Sequence, residues 1–252
     1  MKTWIGILFL AAAGLQDLWA ADVVSNAMSG ARFPSLATAV AAAAKGDELV
    51  MIGNEILSSS LTISNRTLSI VSDGTERTIR GSTNCSYDMV FLAGTNTFLT
   101  LGKSGGSDAT PTLIFDGGKN AGVSNLYDMF FLNGSKLTVH PGVVLRNLAS
   151  RDTGPINNSG GTVEMRGGRI EGNSAPYGGG INNNMGEVWI YGGSITGNLA
   201  NFGGGIYNQA VEMYEGYIVA YVGKSTLSGG TVANNTAYQA GGGIFNMGEM
   251  VF

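Results

Sequence analysis

The sequence repeats itself. Three segments align without gaps: Leu137-Thr-Val-His-Pro-Gly-Val-Val-Leu-Arg-Asn147, Val163-Glu-Met-Arg-Gly-Gly-Arg-Ile-Glu-Gly-Asn173 and Val188-Trp-Ile-Tyr-Gly-Gly-Ser-Ile-Thr-Gly-Asn198. Their first residues, 137, 163 and 188, lie 26 and then 25 positions apart. The last two continue into Gly178-Gly-Gly-Ile-Asn-Asn183 and Gly203-Gly-Gly-Ile-Tyr-Asn208, and a further copy runs Val232-Ala-Asn-Asn235, then Gly241-Gly-Gly-Ile-Phe-Asn246. A unit this short cannot bury an apolar face alone, so neighbouring units must stack.

Within a unit the apolar residues sit at strand spacing. Leu137 and Val139, Val163 and Met165, and Val188 and Ile190 flank Thr138, Glu164 and Trp189, a period of two with one face buried. Gly-Gly and Asn punctuate these runs. Three short strands and three turns fill about 25 residues, so one repeat makes one coil. The expectation is an all-β chain: a right-handed parallel β-helix, a solenoid with a short N-terminal capping helix.

Coils stacked at roughly 4.8 Å superpose like positions. Val144, Ile170, Ile195 and Val232 are then one inward column, and Ile181, Ile206 and Ile244 another. Asn147, Asn173, Asn198 and Asn235 form a structural ladder at a turn, each amide bonding the next. Asn suits a turn because it tolerates left-handed backbone and satisfies turn N–H and C=O groups.

Ile170-x-x-Asn173-x-Ala175 followed by Gly178-Gly-Gly-Ile181 resembles the FxxN and GGA(I/L/V) motifs of polymorphic outer membrane proteins. The pattern recurs with Ile195, Asn198 and Ile206, and with Val232, Asn235 and Ile244. It departs from those motifs in having Ile or Val for Phe and Gly for Ala, and it lacks a membrane barrel. The resemblance implies an adhesin-like β-helical passenger; a wider resemblance, to the pectin-lyase-like superfamily, covers Phe33 onward and implies the fold more than any activity.

Residues 1–20 read as a signal peptide. Lys2 supplies the positive start and Trp4 to Leu15 an apolar run too short to span a bilayer. Residues 21–48 form an N-terminal segment whose Pro34, Ala-rich middle and Gly46 mark the capping helix. Residues 49–252 are the β-helix. Its last stretch, Gly248-Glu-Met-Val-Phe252, starts a repeat without finishing it, so the helix reads as truncated at its C-terminal end and the chain as the N-terminal part of a longer protein. Cys85 is the only cysteine, which forbids an internal disulfide and suits an exported bacterial protein.

Little in the sequence suggests catalysis. Charged residues are 13% and the net charge is −4, leaving no basic field for nucleic acid. A single histidine excludes a multi-His metal site, phosphate-loop spacing is missing, and no cofactor is expected. The only adjacent acidic pair is Asp47-Glu48. Asp116, His140, Arg166 and Tyr191 each follow the second inward residue of a strand and could align on one outer face for acid–base work. An extra stretch between Gly192-Gly193 and Gly229-Gly230 carries Tyr214, Tyr217 and Tyr221, candidates for stacking on sugar rings, although Val211 to Ile218 also resembles one more strand. The expected role is a secreted or cell-surface binding or structural module. Its partners would be host or environmental glycans or surface proteins, with no membrane span apart from the signal peptide. The alternative is a carbohydrate-active enzyme, a polysaccharide lyase or glycoside hydrolase on the same fold.

Overall fold

The computed structural model describes residues 21–83, 88–124, 126–212 and 220–252, the side chains of 211, 212, 220 and 221 excepted. The signal segment 1–20, Cys85, Tyr214 and Tyr217 lie outside the described residues, and Tyr221 is described by its backbone alone.

The chain is mostly β-strand, in parallel sheets. Short strands recur in three rows, and the chain visits the rows in the same order throughout. The first row holds Glu48–Met51, Thr67–Ser72, Phe98–Leu101, Lys136–Val139, Thr162–Glu171, Glu187–Thr196, Lys224–Leu227 and Glu249–Val251, each parallel to the next. The second holds Glu55–Leu57, Arg77–Gly81, Leu113–Asp116 and Val143–Arg146, then the far halves of Thr162–Glu171 and Glu187–Thr196, then Thr231–Ala233. The third holds Leu61–Ser64, Val90–Ala93, Phe130–Asn133, Ile156–Ser159, Ile181–Asn184, Ile206–Glu212 and Ile244–Asn246.

The alternation read from the sequence decides which side chains turn inward. Leu99 and Leu101, Leu137 and Val139, Val163 and Met165, and Val188 and Ile190 are all buried, and one contiguous apolar cluster runs from Val24 to Ile206. Each fully buried Leu, Ile or Val contributes about 1.5–3 kcal/mol of transfer free energy, so the packed interior is the main stabilising element. Ile156, Ile181, Ile206 and Ile244 stand opposite one another, the first three fully buried.

One expected column is shifted. Ile170, Ile195 and Val232 are in register, but Leu145 stands opposite Ile170, while Val144 stands opposite Arg169. The cause is the turn at Pro141-Gly142, which holds one residue more than its counterpart in the next unit. Leu137 therefore pairs with Val163 at a step of 26 and Leu145 with Ile170 at a step of 25. A slip of one residue exchanges the faces of a strand.

At the N-terminal end a hairpin absent from the sequence reading, Val24–Asn26 against Arg32–Phe33, pairs antiparallel with Glu48–Met51 and occupies that sheet edge. The helix Leu36–Ala42 follows, capped by the Ser35 hydroxyl accepting from the Thr38 N–H. It is pinned at both ends to the first strands: the Leu36 N–H donates to Glu55 Oε2, and Arg66 Nη1 donates to the carbonyls of Val40 and Ala43. Within the extra stretch before Gly229-Gly230, Ala210, Val211 and Glu212 pair antiparallel with Val222, Tyr221 and Ala220, and the first-row strand of that level is Lys224–Leu227. Among the described residues no helix is long and apolar enough to cross a membrane.

Candidate functional site

Stacking makes two amide ladders inside the molecule. In one, Asn173 Nδ2 donates to Asn198 Oδ1 at 3.0 Å and Asn198 Nδ2 to Asn235 Oδ1 at 3.0 Å. The same amides close the local turns, because Asn173 Nδ2 also donates to the Leu145 carbonyl and Asn198 Nδ2 to that of Ile170. Asn147 is not a rung. The register shift puts Leu148 beneath Asn173, with its N–H donating to Asn173 Oδ1, while Asn147 takes a left-handed backbone (φ 58°) and donates to Asp116 Oδ2.

The other ladder escaped the sequence reading. Asn158 Nδ2 donates to Asn183 Oδ1 at 2.9 Å, Asn183 Nδ2 to Asn208 Oδ1 at 2.8 Å, and Asn208 Nδ2 to Asn246 Oδ1 at 2.6 Å. Its signal was the second Asn in Gly-Gly-Gly-Ile-Asn-Asn, two residues after an inward Ile and therefore inward itself.

The outward side chains of the same third-row strands build a groove. Phe131, Asn157, Asn182 and Tyr207 form one line across neighbouring strands, and Ser159, Asn184 and Gln209 the next. Thr153, Tyr177 and Phe202, joined by parallel bridges, stand beside them. With Asp152 these residues, Phe202 excepted, enclose a groove of about 520 Å³. Its aromatic wall is continuous. Tyr177 stacks on Phe202 with ring centres 5.9 Å apart, Tyr207 stacks on Phe245 at 5.4 Å, and Tyr177 meets Tyr207 at 5.4 Å.

The floor is a chain of amides with a direction. Asn182 Nδ2 donates to Asn157 Oδ1 at 3.0 Å, and Asn157 Nδ2 donates to Asp128 Oδ2 at 3.0 Å. The Thr153 hydroxyl donates to the other carboxyl oxygen of Asp128. Asn182 is 5% exposed, yet its Oδ1 has no partner, and Asn184 Oδ1 is likewise buried and unpartnered.

Below the floor lies a carboxyl pair that sequence reasoning overlooked. Tyr87-Asp-Met-Val-Phe-Leu92 recurs as Tyr127-Asp-Met-Phe-Phe-Leu132, and Val90 pairs with Phe130. The stack therefore sets Asp88 against Asp128, and the two share a hydrogen bond. Burial is the main cause that raises the Asp128 carboxyl well above its ordinary range, with Asp88 and Asp152 adding repulsion and the Thr153 and Asn157 hydrogen bonds opposing. Burial likewise lifts Asp88, to about 6. Two carboxylates this close cannot both ionise, so the pair titrates as a unit that retains one proton into mildly acidic solution.

The column of four weighed for acid–base work does not assemble. Asp116 belongs to the second row, opposite Arg146, which donates to it at 3.3 Å. His140, Arg166 and Tyr191 follow first-row strands. The Arg166 guanidinium lies 5.1 Å from the Tyr191 ring centre and donates to Glu164. Burial holds the His140 imidazole below its usual range, helped by Arg166 and opposed by Glu164. Among the described residues no group of three or more His, Cys, Asp or Glu side chains is arranged to hold a metal ion.

Compared with protein-family models, with curated proteins and with solved structures, the chain gives no match.

Proposed function

We propose that this chain is a right-handed parallel β-helix, exported to the cell surface or beyond, and that it works as an adhesin-like module binding glycans in the third-row groove. Three rows visited in constant order, each strand parallel to its counterpart one unit on, support the solenoid, and returns to a parallel neighbour are overwhelmingly right-handed. One observation carries the binding role: the rings of Tyr177, Tyr207 and Phe131 beside a floor whose amide oxygens on Asn182 and Asn184 lack partners. Aromatic rings offer flat apolar faces while convergent polar groups fix orientation, the usual division of labour in a ligand site. The expected result on an oligosaccharide array is binding by the folded chain and its loss, by about ten-fold or more, in Tyr177→Ala. An array that leaves the wild-type chain unbound would overturn the reading.

A second reading, a carbohydrate-active enzyme, draws on the Asp88–Asp128 pair and on Asp152 at the groove margin. Paired carboxyls with raised affinity for protons are what glycoside bond cleavage uses as acid and base. Release of reducing ends that disappears in Asp128→Asn would favour it over simple binding.

A further inference from the structure

We propose that the groove selects a neutral, hydroxyl-rich oligosaccharide and rejects acidic ones, the sugar hydroxyls donating to Asn182 Oδ1 and Asn184 Oδ1. This rests on the glycan-binding reading above and narrows it to a chemical class.

The argument follows the direction of the amide chain. A side-chain amide has a donor end and an acceptor end, and which end faces the ligand is decided by what the other end must satisfy. Asp128 is 2% exposed and takes Asn157 Nδ2 at one oxygen and the Thr153 hydroxyl at the other. Asn157 therefore has to turn its NH₂ toward Asp128, which leaves Asn157 Oδ1 to accept from Asn182 Nδ2. Asn182 in turn is left with its carbonyl oxygen unpartnered at the groove. Reversing Asn157 would set NH₂ against the NH₂ of Asn182, and reversing Asn182 would set oxygen against Asn157 Oδ1. The carboxyl pair thus dictates, two residues away, that the unpartnered end of the chain is an acceptor.

A buried acceptor without a partner carries a desolvation cost until a donor arrives. Sugar hydroxyls and acetamido N–H groups are donors. Carboxylate and sulfate groups are acceptors only, and a ligand that presents one of them to Asn182 Oδ1 leaves it as it stands. The titratable groups around the floor add to the discrimination. Asp88 precedes one third-row strand, Asp128 the next, and Asp152 lies in the segment ahead of Ile156–Ser159. All three are acids, and each named electrostatic influence on the buried Asp128 from another charged group comes from the other two. An anionic ligand would meet like charge in a partly dehydrated setting, where repulsion is screened less than in bulk water.

The test is titration calorimetry at pH 7 with four neutral oligomers (cello-, xylo-, malto- and N-acetylchito-hexaose) against two acidic ones of the same length, oligogalacturonate and oligomannuronate. At least one neutral oligomer is expected to bind about ten-fold tighter than either acidic chain. Asn184 is only half-buried, so its substitution reports the acceptor role with less risk to the fold than one at Asn182. Asn184→Ala should weaken neutral binding by about ten-fold, whereas Asn184→Asp, which keeps an acceptor in place, should stay within about three-fold of wild type. Asp152→Asn should narrow the gap between neutral and acidic chains. Acidic oligomers that bind as well as the neutral ones, or an Asn184→Ala variant that binds like wild type, would overturn the inference and leave the groove a glycan site. Failure of all six oligomers to bind would sink the inference together with the reading beneath it.

Discussion

The two halves of the third row solve one packing problem with different chemistry. At the inward position of the early strands stand Ile63, Leu92 and Leu132, fully buried and apolar. At the same position of the later strands stand Asn158, Asn183, Asn208 and Asn246, which bond to one another. The change falls between Leu132 and Asn158, which are direct neighbours. Aliphatic side chains hold by area and tolerate variation in the units, so the early strands sit among long loops. Amide rungs hold by direction, and each must meet the next in strict register, which matches the near-constant spacing of the later units. Two residues upstream of the Ile column the contrast repeats: Asp88 and Asp128 in the early units give way to Gly154, Gly179 and Gly204 in the later ones.

The largest effect is expected at that glycine column. A Cβ on Gly204 would run into the backbone oxygens of Gly242 and Thr236, atoms that cannot swing aside. Gly204→Ala should therefore cost more than about 4 kcal/mol in urea unfolding, or leave no folded protein to measure. A variant within about 1 kcal/mol of wild type would mean that the later units are not packed backbone to backbone.

Next comes an exchange of chemistries. Asn183→Leu removes donors from Asn208 Oδ1 and from the carbonyls of Gly186 and Lys224, and an acceptor from Asn158 Nδ2. Four hydrogen bonds lost at about 1 kcal/mol each make a loss of about 4 kcal/mol the expectation. Leu92→Ala, in the aliphatic half, should cost about 3 kcal/mol through lost burial and the cavity left behind. If Asn183→Leu proved neutral, the ladder would be dispensable and the two halves energetically alike.

The smallest effect concerns pH. Asp88 holds its proton up to about 6 in the folded chain, against 3.8 for an ordinary aspartate. A raised carboxyl stabilises the fold fully below the unfolded value, and that contribution fades as pH climbs from about 4 through about 6. Wild type should thus lose stability relative to Asp88→Asn across that window, read as the difference in urea midpoint between the two proteins. Parallel profiles would show that burial does not raise the Asp88 carboxyl in the fold.

Much of the strand pattern was legible in the sequence. Leu137, Val163 and Val188 align in the text of the repeat and in the sheet alike. Legibility ended where a turn absorbed one residue. Nothing in the gapless alignment of 137–147 with 163–173 tells that the Pro141-Gly142 turn is longer, so Asn147 and Val144 fell into columns that Leu148 and Leu145 occupy. The groove was harder still. It is made by outward residues of the strands and by Tyr177 and Thr153 between strands, and their convergence depends on the stack. The recurrence around Asp88 and Asp128 was visible, but with 40 residues between the copies only a structure shows them as neighbours. The tyrosines singled out for sugar stacking, Tyr214 and Tyr217, lie outside the described residues, and of Tyr221 only the backbone is described; the rings that line or flank the groove are Tyr177, Tyr207 and Phe131.

The common orientation of the inner amides has a practical consequence for cutting and splicing the gene. Both inner series present NH₂ toward the next copy and oxygen toward the previous one, so excising residues 173–197 would bring Asn158 to Asn208, and Asn198 to the place of Asn173, with donor still meeting acceptor. The same excision takes away Tyr177, Asn182 and Asn184 together. Scaffold and recognition are therefore separable by a single in-frame deletion, something a globular domain with one shared interior does not permit.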